Sequence, residues 1–244
     1  MSFTVVCPIH NEAGMLPYTL KSIYDLKPDE VIFSLDRCTD NSDTIIHREA
    51  LKHPCKTRVL YYFPGDGAGW NYRPGYIRRM AFAMARNDII LNTSADIILD
   101  PAIKEAIEAI GDMGLISLGY MDYPYNIQSW IKRVSPLHGN AGLVVLSKRA
   151  WLASEDLAEL RRQPRIMGED THLRQAIKRK YQTRHVNTRS LHLRPTENYR
   201  HHYKCGVVNW RLFHQHPLHA LAYAVVMLRP GSLAGYVDAR RIKK

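Results

Sequence analysis

Cysteine is scarce in this chain of 244 residues: Cys7, Cys38, Cys55 and Cys205 stand far apart, and no Cys-x-x-Cys pair occurs. That argues against a zinc knuckle and a disulfide framework and for a reducing, cytoplasmic setting. Acids are in deficit, with 23 Asp and Glu against 34 Lys and Arg. No charged leader with an apolar core precedes the first strand pattern, Phe3 to Cys7, so no secretory signal is expected. The stretch Gly65-Asp66-Gly67-Ala68-Gly69 is not closed by Gly-Lys-Ser/Thr. A P-loop is therefore excluded, and the dinucleotide fingerprint is absent too. The apolar stretch Ala220 to Leu228 falls short of the ~20 residues that a single membrane-spanning helix needs. No low-complexity tract suggests disorder.

What is present suffices for one substantial domain with a small appendage. The formal net charge of +11 favours polyanionic partners: nucleotide phosphates, anionic lipid surfaces or nucleic acid. The excess is concentrated late, with nine Lys or Arg and one acid, Glu197, between Arg174 and Lys204. A solvated basic face is the plain alternative.

The order of elements is that of a Rossmann-like half. Phe3 to Cys7 reads as a strand, and Leu16, Leu20 and Ile23 share one face of a helix that stops near Lys27-Pro28. Val31 to Leu35 is a second strand, Ile45 to Ala50 lies in a helix, and Val59 to Phe63 is a third strand. Strand–helix–strand–helix–strand implies parallel pairing with right-handed crossovers. A helix from about Gly75 to Arg86 precedes the stretch Asp88 to Asp100. There Ile89 to Leu91 reads as a strand buried in a parallel sheet. Pro101 to Ile110 reads as a helix started by proline; Leu115 to Met121 and Leu143 to Leu146 read as strands around an aromatic loop with Tyr123, Tyr125 and Trp130. Gly139 to Gly142 reads as a turn, and a helix starts near Lys148. Met167-Gly168-Glu169-Asp170 opens a further helix to about Lys180, and Thr183 to Val186 and Ser190 to Leu193 read as extended segments broken around Asn187.

Residues 196–244 differ in character from 1–195. They hold His201, His202, His214, His216 and His219, then the apolar stretch and the cations Arg229, Arg240, Arg241, Lys243 and Lys244. The expectation is a basic, histidine-rich helical extension that packs on the main domain or lies at an anionic membrane surface.

Several segments end in side chains suited to a ligand. Thr93-Ser94-Ala95-Asp96 interrupts two apolar runs and leaves a carboxylate just past the first. In open α/β sheets ligands bind outside the carboxyl ends of strands, and an acid there suits a divalent cation and its phosphates. A side-chain hydrogen bond that ties the turn is the alternative. Asp40 stands before Asn41-Ser42-Asp43 and doubles as a helix cap. Glu169 and Asp170, at a helix start, also complement the helix dipole.

Taken in order, these segments resemble glycosyltransferase family 2, inverting nucleotide-sugar enzymes of the GT-A fold. Pro8, Asn11 and Glu12 are similar to the family's Pro-x-x-Asn-Glu after strand one, and Asp36-Arg37-Cys38-Thr39-Asp40-Asn41-Ser42 to its Asp-rich turn after strand two. Ser94-Ala95-Asp96 occupies the place of its Asp-x-Asp metal motif, with Ser94 in place of the first acid, and Glu169-Asp170 that of its Glu-Asp pair. The match covers roughly Phe3 to Pro195, and no Gln-x-x-Arg-Trp of the processive members is found. The resemblance implies an α/β GT-A sheet flanked by helices and a single-addition hexosyltransferase. It also implies Mg²⁺ or Mn²⁺, a nucleoside-diphosphate sugar, and a glycan or lipid-linked acceptor.

By the same resemblance, Pro8, Asn11, Glu12, Asp36, Asp40 and Ala95 shape the nucleotide site. Arg78 or Arg79 is placed to reach the diphosphate, with an ordinary arginine on a helix face as the equal alternative. Asp96 and His192, with His185 as the competing choice, hold the metal; Asp170, or its neighbour Glu169, is the general base. Two rival functions remain. A nucleotidyltransferase would carry a Gly-rich turn where Pro8-Ile9-His10-Asn11-Glu12 stands. A nucleic-acid-binding module would rest on the basic last third alone, without a module signature.

Overall fold

The computed structural model describes residues 1–67, 73–123, 142–156, 169–194, 203, 205–207, 210, 216–226 and 230–241. Several sequence-based expectations lie outside these residues: Ala68 and Gly69, the aromatic loop with Tyr125 and Trp130, the turn Gly139 to Ala141, Met167-Gly168, His201, His202, His214, Leu228, Arg229, Lys243 and Lys244. The side chains of Glu169, His219 and Arg241 lie outside them as well.

Strand β1 (Phe3–Ile9), helix α1 (Leu16–Asp25), β2 (Glu30–Asp36), α2 (Ser42–Ala50) and β3 (Lys56–Tyr62) make the anticipated first half. Then come α3 (Arg73–Met84), β4 (Ile89–Asn92), β5 (Ile97–Ile98), α4 (Ile103–Glu108), β6 (Leu115–Asp122), β7 (Val144–Ser147), α5 (Lys148–Ser154), α6 (Glu169–Lys178) and β8 (Thr183–His192). Helices α7 (Pro217–Val226) and α8 (Pro230–Arg241) follow. Helix α1 forms because Leu16, Leu20 and Ile23 recur at helical spacing and are all buried, with proline in its first turn. It stops where Lys27 turns to a φ of 54°, a left-handed residue that ends the helical repeat.

The strands form one eight-stranded sheet in the order β3-β2-β1-β4-β7-β6-β8-β5. β1 to β4 run parallel, as do β6 and β8; antiparallel pairs join β4 to β7, β7 to β6 and β8 to β5. The sheet is thus mostly parallel, but β4 has a parallel neighbour on one side only. Alternate residues of β1 serve the two faces: Val5, Cys7 and Ile9 join the layer of α1 and α4, and Val6 joins Phe82, Trp151 and Ile177 under α3, α5 and α6. Each fully buried aliphatic side chain contributes about 1.5–3 kcal/mol.

Two boundaries depart from the sequence reading. Helix α4 begins at Ile103, because Asp100 accepts the Ala102 N–H at 3.0 Å and holds the preceding residues in a turn. The two extended segments expected around Asn187 are one strand. It slips register against β6 between Asn187 and Ser190, where the Thr188 hydroxyl donates to Gly119 O at 2.6 Å. That bulge is what the sequence shows as a break.

A buried ionic cluster ties the second layer together. Arg79, 2% exposed, donates from Nε and Nη2 to the two oxygens of Glu155 at 3.0 and 2.6 Å. Trp151 Nε1 donates to the same carboxylate, and His172 Nδ1 lies 3.4 Å from it. Burial alone would raise the Glu155 carboxyl, but the His172 hydrogen bond and the Arg79 charge outweigh it and hold it at about 2, against an ordinary 4.5. A depressed carboxyl stabilises the fold above its unfolded value, and that contribution is lost as pH falls through the folded one. Glu155→Gln should cost about 3–5 kcal/mol at neutral pH, because Arg79 stays buried without its counter-charge. Its melting temperature should also fall less steeply than wild type's between pH 4.5 and 2, which parallel thermal melts across that range will test.

Candidate active site

Strand order 3-2-1-4 puts a topological switch between β1 and β4, where α/β sheets open a crevice at the strands' carboxyl ends. The loops after β1 and β2 are stitched into one surface there. Asn11, at a φ of 55°, accepts the Thr39 N–H at 2.7 Å. His10 Nδ1 lies 2.6 Å from Asp36 O, and the Ser42 hydroxyl accepts the Glu12 N–H at 2.9 Å. Asp40 accepts the N–H groups of Ala13 and Ser42 at 2.9 and 3.1 Å. Burial would raise the Asp40 carboxyl, but these bonds hold it below the usual range. The helix-capping alternative for Asp40 therefore has a geometric basis, extended to the neighbouring loop.

Across the crevice, Asp96 follows β4 and stands beside β8. Its Oδ2 is 3.2 Å from His192 Nε2, and His192 Nδ1 is 2.9 Å from Asp122 Oδ1. Strand pairing enforces this line: His192 is in register with Asp122 on β6 and with Ile97 on β5, and the Leu193 N–H donates to Asp96 O at 2.8 Å. Burial opposes a charge on His192, yet hydrogen bonds to Asp122 and Asp96 raise it to about 9. Asp96 is held below its ordinary value, because His192 and Arg194 outweigh its burial. His185, the competing candidate, is elsewhere on the strand, 2.9 Å from the Ser117 hydroxyl and 3.1 Å from Asn187.

Among the described residues no three metal-binding side chains converge on one point. Asp96 and His192 nevertheless offer one oxygen and one imidazole nitrogen side by side. Asp122 stands behind the imidazole as carboxylates do behind ligating histidines. That donor set fits Mg²⁺ or Mn²⁺ sharing phosphate oxygens and water. Asp122 was missed by the sequence reading; only the β6–β8 register brings it to His192 from 70 positions away.

Four arginines surround or flank the crevice. Arg194 grips Glu12 through both its terminal nitrogens. Burial of Glu12 raises its carboxyl in spite of that arginine. Arg78 and the acids Asp96 and Glu12 all act on the buried thiol of Cys7, so the three converge near the end of β1. Arg73 donates from Nε to Asp36 at 2.7 Å, where Arg37 also binds. Arg79 faces the other way, into the Glu155 cluster, and is not carried forward as a diphosphate ligand. Arg194 and Arg73 escaped the sequence reading. For Arg194 the available signal was His192-x-Arg194, a spacing that keeps two side chains on one side of an extended chain.

Ala95 is buried, and its carbonyl accepts from the Thr19 hydroxyl at 2.8 Å; Pro8 lies in β1, paired with Ser34. Glu169 and Asp170 open α6, and Asp170 Oδ1 accepts its neighbour's N–H, from Thr171, at 2.7 Å. Two residues on, His172 ties this helix to Glu155.

The sequence profile of Glycosyl transferase family 2 matches residues 4–141. More than half of the 244 residues are covered, and the protein belongs to that family. It is a glycosyltransferase of the nucleotide-sugar class, which sets aside the nucleotidyltransferase and nucleic-acid readings. No curated protein matches its sequence.

Solved structures share its GT-A fold. The mannosyltransferase PcManGT from Pyrobaculum calidifontis, in complex with GDP-Man and Mn²⁺, is 19% identical with a TM-score of 0.66, over 98% of this chain and 75% of that one. TarS from S. aureus with UDP is 15% identical, TM-score 0.60, over 86% of this chain and 66% of that one. Glucosyl-3-phosphoglycerate synthase from Mycobacterium tuberculosis, with Mn²⁺, UDP and phosphoglyceric acid, is 16% identical, TM-score 0.53, over 80% and 71%.

The stitched loops generate a prediction of their own. Asp40→Ala should leave the fold intact and release the amides of Ala13 and Ser42. Their protection in hydrogen exchange should drop about two- to tenfold, as expected for the loss of one net hydrogen bond each. Unchanged exchange at both would show that Asp40 does not hold the two loops together.

Proposed function

We propose that this protein moves a single sugar from a nucleoside-diphosphate sugar to an acceptor hydroxyl with inversion, and that Asp170 is the general base. The observation that carries the reading is the Asp96–His192–Asp122 line at the switch crevice, next to Glu12 and Arg194.

The donor nucleotide lies over the ends of β1 and β2, against Pro8, Asn11, Glu12, Ala95 and the Asp36 turn. Asp36 meets the base in exchange for Arg37 or Arg73, and Glu12 meets the ribose once Arg194 lets go. Asp96 and His192 hold a divalent cation; when bound, it offsets the charge that grows on the leaving diphosphate. Arg194, freed from Glu12, and Arg78 add positive charge on the same side. The acceptor oxygen attacks the anomeric carbon from the opposite face. As the new C–O bond forms and the sugar–phosphate bond breaks, the electron pair leaves with the diphosphate and the acceptor proton passes to Asp170. Glu169 is the alternative base. The acceptor is a glycan or lipid-linked hydroxyl compound.

Donor screening will test this: purified protein with UDP-, GDP- and TDP-sugars, with Mn²⁺ or Mg²⁺, reading nucleoside diphosphate release. Asp170→Asn should lower turnover about 10²–10⁴-fold while donor affinity, measured by calorimetry, stays put. If Asp170→Asn turns over like wild type, the base assignment fails. The product's anomeric configuration, read by proton NMR, should be opposite to the donor's; retention would sink the inverting mechanism.

Asp122→Asn should weaken Mn²⁺ binding in the presence of nucleoside diphosphate about 10–100-fold, the usual effect of removing the carboxylate behind a ligating histidine. Unaltered Mn²⁺ titration by paramagnetic resonance would exclude His192 as a ligand oriented from behind.

A further inference from the structure

Helix α7 turns its large described aliphatic side chains outward. Among the described side chains of α7 the buried ones are Ala220 and Ala224, 5% exposed each, whereas Leu218, Leu221 and Val225 are 70%, 45% and 64% exposed. Positions 218, 221 and 225 recur at three and four, so the three aliphatic side chains form one outward stripe. Among its described side chains the helix therefore packs through alanine and leaves its leucines and Val225 outside the protein core.

The packing beneath is of the same kind. A Cβ on Gly235 of α8 would lie 2.0 Å from Tyr203 O, and one on Gly206 would lie 1.9 Å from Ser232 O. Only glycine permits that approach of backbone to backbone. Small residues at so close an approach of backbones are also how helices pack where the surroundings are hydrocarbon. No helix among the described residues is long and apolar enough to cross a membrane, so immersion would be from one side.

Between α7 and α8 runs an open groove of about 580 Å³, lined by Leu218, Leu221, Leu233, Tyr236, Val237 and, the one charge among its described lining residues, Arg240. The Arg240 guanidinium stacks over the Trp210 ring at 5.7 Å. From Pro217 to Lys244 there are five Lys or Arg and a single acid, Asp238. That acid is engaged by the Tyr203 hydroxyl at 3.0 Å. An apolar face beside Arg240, on a segment whose sequence carries more cations than acids, is complementary to acyl chains beneath anionic headgroups.

From this arrangement we infer that the α7–α8 hairpin is a one-sided membrane-docking element. Leu218, Leu221 and Val225 enter the acyl boundary of an anionic bilayer, and Arg240 sits at its headgroups. The inference does not depend on the transferase chemistry.

The full-length protein is mixed with vesicles of phosphatidylcholine alone and of phosphatidylcholine with phosphatidylglycerol, and partitioning is read by flotation. Wild type should partition onto the anionic vesicles, less so at high salt. Leu218→Ser/Leu221→Ser/Val225→Ser should lose binding by about tenfold or more. Arg240→Gln should weaken it several-fold and flatten its salt dependence. Because the altered aliphatics are exposed, the variants should keep the wild-type near-ultraviolet circular dichroism; Leu218→Ser alone, expected to weaken binding in the same direction, serves if the triple variant does not. No partitioning by wild type, or equal partitioning by the aliphatic variants, overturns the inference. So does a wild-type dimer in sedimentation velocity that the aliphatic substitutions dissociate without changing vesicle binding, since the stripe would then be a contact between copies of this chain.

Discussion

A carboxylate on each side of an imidazole is the arrangement on which this site depends. His192 sits in a nearly buried position where a lone charge would be costly; Asp122 and Asp96 each face one ring nitrogen and favour its protonated form, and a cation bound at Nε2 would take the place of that ring proton. Neither acid is near His192 in sequence. What brings them together is strand pairing at the far edge of the sheet, where β8 lies between β6 and β5. The slip at Thr188 matters in this light. The slip skips two residues of β8, so His192 pairs with Asp122, where an unbroken register would have put Ser190. The chemistry of the crevice thus rests on an irregularity in a strand that carries no catalytic group at that point.

The other face of the sheet depends on a second buried charge pair. Arg79 and Glu155 bring α3, the end of α5 and, through His172, α6 to one centre. α6 begins with the proposed base. The helix that starts beside the switch crevice, at Arg73, and the helix that opens with Glu169 and Asp170 therefore share an anchor. That anchor is ionic where an apolar contact would have been easier to build. A buried pair contributes less net stability than its geometry suggests, but it admits few alternative arrangements, which suits two elements whose spacing must be kept.

The sequence made the first half of the sheet legible, because strands and helices there alternate with strong periodicity and each strand ends in a polar loop. Asp96 and His192 were both found as candidates and lie 3.2 Å apart. Asp122 was not found, since nothing local marks an acid at the end of a strand as the partner of a distant histidine. Arg79 reads, beside Arg78, as a diphosphate candidate; its burial follows from Glu155, 76 positions later, which nothing local announces. The break around Asn187 was visible, but a bulge and a loop leave the same trace in a single chain. In α7 the apolar content was plain, whereas which side of it faced outward depended on where the alanines packed.

The stitching of the first two loops also limits how this pocket can change over time. Four contacts, from His10, Asn11, the Glu12 amide and Asp40, cross between the loop after β1 and the loop after β2. A substitution that reshapes one loop of the proposed nucleotide site to suit a different base therefore pulls on the other. Drift toward a new donor would have to proceed by matched pairs of changes, and a transplanted specificity loop would function only if its partner travelled with it.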